Sequence, residues 1–155
     1  MIKLNVDAAV SKDHTILAVV ARDTKGEILK AWTTDHQLCE PGQAEAETIL
    51  WALKLALTEK FNKIIVVGDA KACFDFLNTG TSTCWTVCNV LYNALEIGKS
   101  FQSCTFGWVR REANGVAHAL AKLDSPTRSS FCSNFSSIPG SIRDGRNFDI
   151  SLLSA

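Results

Sequence analysis

Lys63-Ile64-Ile65-Val66-Val67-Gly68-Asp69 is a short apolar run, rich in β-branched residues, that stops at an acid. Residues 63–68 show no alternation, so they read as a strand buried on both faces, as in a parallel sheet. A helix of about residues 43–60 precedes it, opened by Pro41-Gly42-Gln43. There Ala46, Ile49, Leu50, Leu53 and Leu57 recur at helical spacing, with Lys54 and Lys60 off that stripe. Further upstream, residues 2–9 set Ile2, Leu4, Val6 and Ala8 against Lys3, Asn5 and Asp7, the period of a half-buried strand. Residues 15–22 form a second strand, Asp23-Thr24-Lys25-Gly26 a tight turn, and 27–35 a third strand. Links this short make the three an antiparallel meander.

Downstream of Asp69, residues 70–78 read as a short helix broken at Gly80-Thr81-Ser82, and 83–98 as a longer one. Residues 102–109 read as a fifth strand, and 112–123 as a last amphipathic helix carrying Ala113, Val116, Ala117, Leu120, Ala121 and Leu123. The order βββαβααβα predicts an α/β fold: a five-stranded mixed sheet flanked by helices on both faces. Residues 1–123 make this domain. Residues 124–155, rich in Ser, Gly, Arg and Asn and without a sustained period, read as a loosely ordered tail that Phe131, Phe135 and Phe148 could dock on the body.

The chain has 155 residues, 46% hydrophobic and 21% charged, which suits one globular domain able to bury its own core. Apolar runs such as Ile64-Ile65-Val66-Val67 are far too short to cross a bilayer, and no charged n-region leads into an apolar h-region near Met1. The expectation is a protein of the cytoplasm or nucleus, not secreted, with no membrane partner and monomeric. Cys39, Cys73, Cys84, Cys88, Cys104 and Cys132 contain no C-x-x-C pair, so they read as reduced thiols rather than a zinc site. Sixteen basic residues balance sixteen acidic ones. Nucleic-acid binders usually carry a basic excess, so phosphate binding here would need a local patch.

Three acids stand out by position. Asp7 lies inside the first strand, Glu45 in the first turn of the first helix, and Asp69 at the carboxyl end of the buried fourth strand. With the first strand central and the fourth beside it, Asp7 and Asp69 become neighbours at strand ends, where open α/β sheets bind ligands. Three converging carboxylates offer hard oxygen ligands for Mg²⁺. Two ions about 3.5–4 Å apart activate a water and stabilise a phosphodiester's leaving oxygen without a Ser or Cys nucleophile. Each acid also has a plain structural reading. Asp69 precedes a helix it could cap, and Glu45 and Glu47 favour a helix dipole. Asp7 is harder to explain so, because a charge within a strand costs unless exposed or paired.

Four stretches resemble the plant-type ribonuclease H-like domain associated with retroelement reverse transcriptases. They are Lys3-Leu4-Asn5-Val6-Asp7-Ala8-Ala9, Val20-Ala21-Arg22-Asp23-Thr24-Lys25-Gly26, Ala44-Glu45-Ala46 with Ala52-Leu53-Lys54-Leu55-Ala56, and residues 109–121, Val-Arg-Arg-Glu-Ala-Asn-Gly-Val-Ala-His-Ala-Leu-Ala. The resemblance runs from about residue 3 to 123 and implies an endonuclease that cuts the RNA strand of RNA–DNA hybrids, using Mg²⁺ or Mn²⁺. It places Asp7, Glu45 and Asp69 at metal-binding positions, with Glu45 preferred to Glu47 because the motif acid follows Ala44 directly. At the fourth position, where many relatives carry Asp, this chain has His118, which the resemblance implies as a weak ligand or a proton shuttle. A histidine that merely packs or caps the last helix is the alternative.

Other positions depart from the pattern as well. Gly68 and Ala70 replace a Glu and a Ser around Asp69, and Trp108 replaces a loop His. Arg110 and Arg111 are candidate phosphate contacts, and Asn114 a candidate hydrogen-bond partner near the substrate. Lys54, Lys60 and Lys63 form a possible second basic surface. The competing reading is a domain that kept the fold, lost turnover, and binds nucleic acid or protein.

Overall fold

The computed structural model describes residues 1–80, 85–122 and 131–133. The elements are β1 (Ile2–Val10), β2 (Thr15–Arg22), β3 (Ile28–His36), α1 (Pro41–Thr58), β4 (Lys63–Gly68), α2 (Lys71–Thr79), α3 (Trp85–Gly98), β5 (Ser103–Trp108), α4 (Gly115–Ala121) and β6 (Phe131–Ser133). The expected order of five strands and four helices is present. The sheet runs β5-β4-β1-β2-β3-β6, with β1 antiparallel to β2, β2 to β3, and β4 parallel to both β1 and β5. β6 is an addition: three residues that pair antiparallel with β3 at Ala31, Trp32 and Thr33. The expected docking of the Phe131, Phe135 and Phe148 side chains, the break at Thr81-Ser82 and the rest of the 124–155 tail fall outside the described residues.

Local chemistry explains the boundaries. The β2–β3 turn closes through the Asp23 side chain, whose Oδ1 accepts from the Lys25 and Glu27 amides at 2.9 and 3.0 Å. Gly26 takes the positive φ of 82° this turn needs. Pro41 opens α1 at its first turn, where no amide donor is missed. Gly80 ends α2 in the left-handed conformation, donating its amide to the Phe76 carbonyl.

The sheet carries two cores. On one face Leu4, Val6, Ile64 and Val66 meet Ile49 and Leu53 of α1, Phe74 and Phe76 of α2, and Leu91 of α3. On the other, Ala18, Val20 and Ala31 meet Val116, Ala117, Leu120 and Ala121 of α4. The small residues on both partners let the short α4 lie close to the strands. This corrects one sequence expectation. The alternation in 2–9 implied a solvated polar stripe, yet Asn5 is 1% and Asp7 3% exposed, since α4 packs over β1 and β2. The last helix is also divided. Arg111–Asn114 form a tighter 3-10 turn before α4 begins at Gly115.

Candidate metal centre

β1 and β4 pair with Leu4 level with Val66 and Asn5 level with Val67. Extending that register by two residues sets Asp7 level with Asp69, one position beyond the end of β4. α1 begins at Pro41, so Glu45 lies just past its first turn and not within it; set between the buried Ala44 and Ala46, it is brought to the same spot. Each of these three acids offers a carboxylate oxygen, and the three oxygens lie within 4.8 Å of one another. Glu47 points elsewhere and accepts from Gln43 Nε2 at 3.0 Å, as the ~100° turn per helical residue predicts.

Three carboxylates this close oppose one another's ionisation. Burial, then the charges of Asp7 and Asp69, push the Glu45 carboxyl up to about 9. Burial also raises Asp7; a hydrogen bond from His118 opposes that shift and the charge of Asp69 adds to it. Glu45 Oε2 is buried without a hydrogen-bond partner. A lone pair left so, beside two further carboxylates, suits a hard divalent cation, which would relieve both the repulsion and the unpaired oxygen. The residues present therefore fit an ion such as Mg²⁺ or Mn²⁺.

His118 reaches the site through Asp7. The converging ligand atoms belong to Asp7, Glu45 and Asp69, while His118 Nδ1 donates to Asp7 Oδ2 at 2.8 Å. It is bonded to a candidate ligand instead of joining the ligand set. Asn114 needs a fuller correction. It is 1% exposed, donates from Nδ2 to the Val6 carbonyl at 2.7 Å, and accepts from Asn5 Nδ2 at 3.1 Å. Its amide ties the start of α4 to β1 and has no face left for a substrate. That tie also sets α4's position along β1, and with it the reach of His118 to Asp7.

Arg110 is exposed. Arg111 is exposed too, with Nε 3.5 Å from Asp69 Oδ2. Trp108 is a rim residue, 44% exposed; its indole N–H donates to the Asp69 carbonyl at 3.2 Å and Lys71 Nζ lies 6.0 Å from the ring centroid. Lys54, Lys60 and Lys63 are exposed. Lys60, just past the far end of α1, is about 20 Å along the axis from Glu45 at 1.5 Å per residue, so this basic surface is separate from the acids. The contacts His118–Asp7, Arg111–Asp69 and Trp108–Asp69 carried no signal in the sequence, because each spans from 39 to 111 positions.

Residues 5–124 match the family described as Reverse transcriptase-like. Among curated proteins none matches the chain in sequence. Among solved structures, RNase H1 from the halophilic archaeon Halobacterium salinarum superposes with a TM-score of 0.68 at 20% identity, covering 73% of this chain and 88% of that one. The N-terminal RNase H domain of a Mycobacterium tuberculosis protein gives 0.66 at 14%, covering 73% and 89%. An RNase H1 named LC11, in complex with an RNA/DNA hybrid, gives 0.67 at 19%, covering 76% and 91%. At these identities the likeness establishes the fold, which is ribonuclease H-like.

Proposed function

Since the chain belongs to the Reverse transcriptase-like family, we propose that it is a divalent-metal-dependent endonuclease of the ribonuclease H type, cutting the RNA strand of RNA–DNA hybrids. The observation that carries the reading is the convergence of Asp7, Glu45 and Asp69 within 4.8 Å at the carboxyl ends of two parallel strands. A purely structural domain gains nothing from it, since burial, with the charges of Asp7 and Asp69 adding to it, raises the Glu45 carboxyl to about 9. The related fold of an RNase H1 bound to an RNA/DNA hybrid supports the substrate class.

Asp7, Glu45 and Asp69 hold Mg²⁺ or Mn²⁺ in this reading. When bound, the metal supplies Lewis acidity for attack of water on a phosphodiester and for departure of the leaving oxygen. The chain's own residues do the rest. His118 holds Asp7 in one rotamer through Oδ2. Arg110 meets the phosphate backbone, and Arg111, at the edge of Asp69, stands where the strand enters. The motifs at 20–26, 44–56 and 109–121 support the plant-type, retroelement-associated branch. The thiols of Cys39, Cys88 and Cys104 are free, in keeping with a reducing cytoplasm or nucleus. Among the described residues no helix is long and apolar enough to cross a membrane.

A second reading is favoured by a specific feature. The fourth acidic position holds His118, already bonded to Asp7, and the loop His is Trp108. Both fit a domain that binds hybrid and turns over slowly or not at all. Cleavage of a labelled RNA–DNA hybrid in Mg²⁺ and in Mn²⁺, beside an Asp7→Asn control, separates the two. Metal-dependent cutting lost in the control supports the enzyme. Hybrid binding with no cutting in either metal replaces it with the binding module.

A further inference from the structure

Trp108 is a large apolar side chain that the fold does not use for packing. It is 44% exposed and is not among the side chains that form or pack against either core. Trp32 lies within the larger core and Trp51 packs against it. Even Tyr92, which is more exposed, packs edge-on against Phe76, with ring centroids 5.1 Å apart. What fixes Trp108 is polar. It ends β5 level with Gly68, the last residue of β4. The Val109 amide donates to the Gly68 carbonyl at 2.8 Å, and the indole N–H donates to the Asp69 carbonyl at 3.2 Å. An indole has one donor; here the main chain of Asp69 takes it, and much of the flat apolar ring stays in water. Lys71 Nζ lies 6.0 Å from the ring centroid, at the outer limit of a cation–π contact, and pairs with Asp75 at 3.0 Å. The lysine borders the ring more than it covers it.

A pinned aromatic surface takes the face of a nucleobase. Within a duplex those faces are covered by neighbouring bases, so the ring finds a partner only where a nucleotide is unpaired. The charge of Lys71 at its border complements an adjoining phosphate. We infer that Trp108 is a stacking platform for an unpaired RNA nucleotide beside the metal centre, so that the domain favours hybrids whose RNA runs on as a single strand. The inference rests on the hybrid substrate of the proposed function and adds to it the form of the end that is bound. It also gives the position where the resemblance expects a His a task that needs no proton transfer, since an indole does not titrate near neutral pH.

Binding tests this without turnover. Affinity is measured on the whole chain by fluorescence anisotropy, in an Asp7→Asn background. The ligands are a blunt RNA–DNA hybrid, the same duplex with a short RNA overhang at either end in turn, and one with a DNA overhang. An RNA overhang should tighten binding about fivefold or more, the lower part of what stacking one base on an aromatic ring is worth. Trp108→Phe should keep most of that gain and Trp108→Leu should abolish it, because only Phe retains a planar π-face. Both variants lose the bond to the Asp69 carbonyl, so a merely positioning role would remove the gain from both. Trp108 lies outside the two cores, so both variants should fold. Indole emission of the protein with Trp108 intact is a second reading, and the RNA-overhang hybrid should quench it more than the blunt one. No gain from RNA, an equal gain from DNA, a gain that Trp108→Leu keeps or one that Trp108→Phe loses would each overturn the proposal. Failure here is distinct from failure of the nuclease reading. Hybrid cleavage without the overhang gain sinks only the platform, whereas the gain without cleavage leaves the platform standing and sinks the enzyme.

Discussion

Replacing Glu45 with Gln should make the metal-free protein more stable at neutral pH while removing its response to metal. Glu45 holds its proton up to about 9 in the folded chain, against 4.5 for an ordinary Glu. Below pH 4.5 both states are protonated and the site costs nothing. Above it the unfolded chain releases the proton and the folded one keeps it, so stability falls as pH rises, levelling off only near 9. At about 1.4 kcal/mol per pH unit, the interval from 4.5 to 7 amounts to at most about 3 kcal/mol. Relaxation and solvent at the partly open site reduce this to about 1–3 kcal/mol. The substituted glutamine keeps the shape and titrates nowhere. Urea unfolding of both proteins in chelator, from pH 5 to 8.5, reads the effect as a difference in midpoint that widens with pH at constant slope. With Mg²⁺ in excess the order should reverse, because only the wild type gains binding energy. Parallel curves for the two proteins across this range would refute the reasoning, since they would mean that Glu45 ionises in the fold as freely as in the unfolded chain.

Three further outcomes are expected. Gly68→Ala should destabilise by about 1–3 kcal/mol, measured by denaturant unfolding, because its Cβ would lie 2.9 Å from both Phe74 Cε2 and Val6 Cγ2 in the packed core. Asn114→Ala removes the bond to the Val6 carbonyl and leaves the Asn5 amide only its long 3.4 Å contact with the Ala113 carbonyl; a loss of about 1–3 kcal/mol, with weaker metal binding as α4 shifts, should appear in melts with and without Mg²⁺. Arg110→Ala should weaken hybrid binding at low salt and lower the salt slope of the affinity by about one. Fluorescence anisotropy over a salt series checks this, and an unchanged slope would remove Arg110 from the backbone contacts.

The elements were legible because each rests on a local pattern. The apolar, β-branched run 64–67 reads as a strand covered on both sides, and the stripe from Ala46 to Leu57 as a helix facing a core. The Asp23–Gly26 turn was readable from its side-chain chemistry. The three acids were legible too, since the element order puts β1 beside β4 and a helix N-terminus above them. β6 was not legible. Three residues in a stretch without period become a strand only because β3 offers an unpaired edge. The division of the last helix was hidden for a similar reason: Asn114 leaves helical geometry to reach Val6, 108 positions away.

By itself, then, the sequence determined the α/β order, the meander and the set Asp7, Glu45 and Asp69, since periodicity and turn chemistry act over a few residues. Only the tertiary structure decided what surrounds those acids. Packing of α4 over β1 turned a polar stripe into a buried one, made Asn114 a bracket instead of a substrate contact, and set His118 against Asp7. These are contacts between segments far apart in the chain, and their energies depend on burial, which no local spacing encodes.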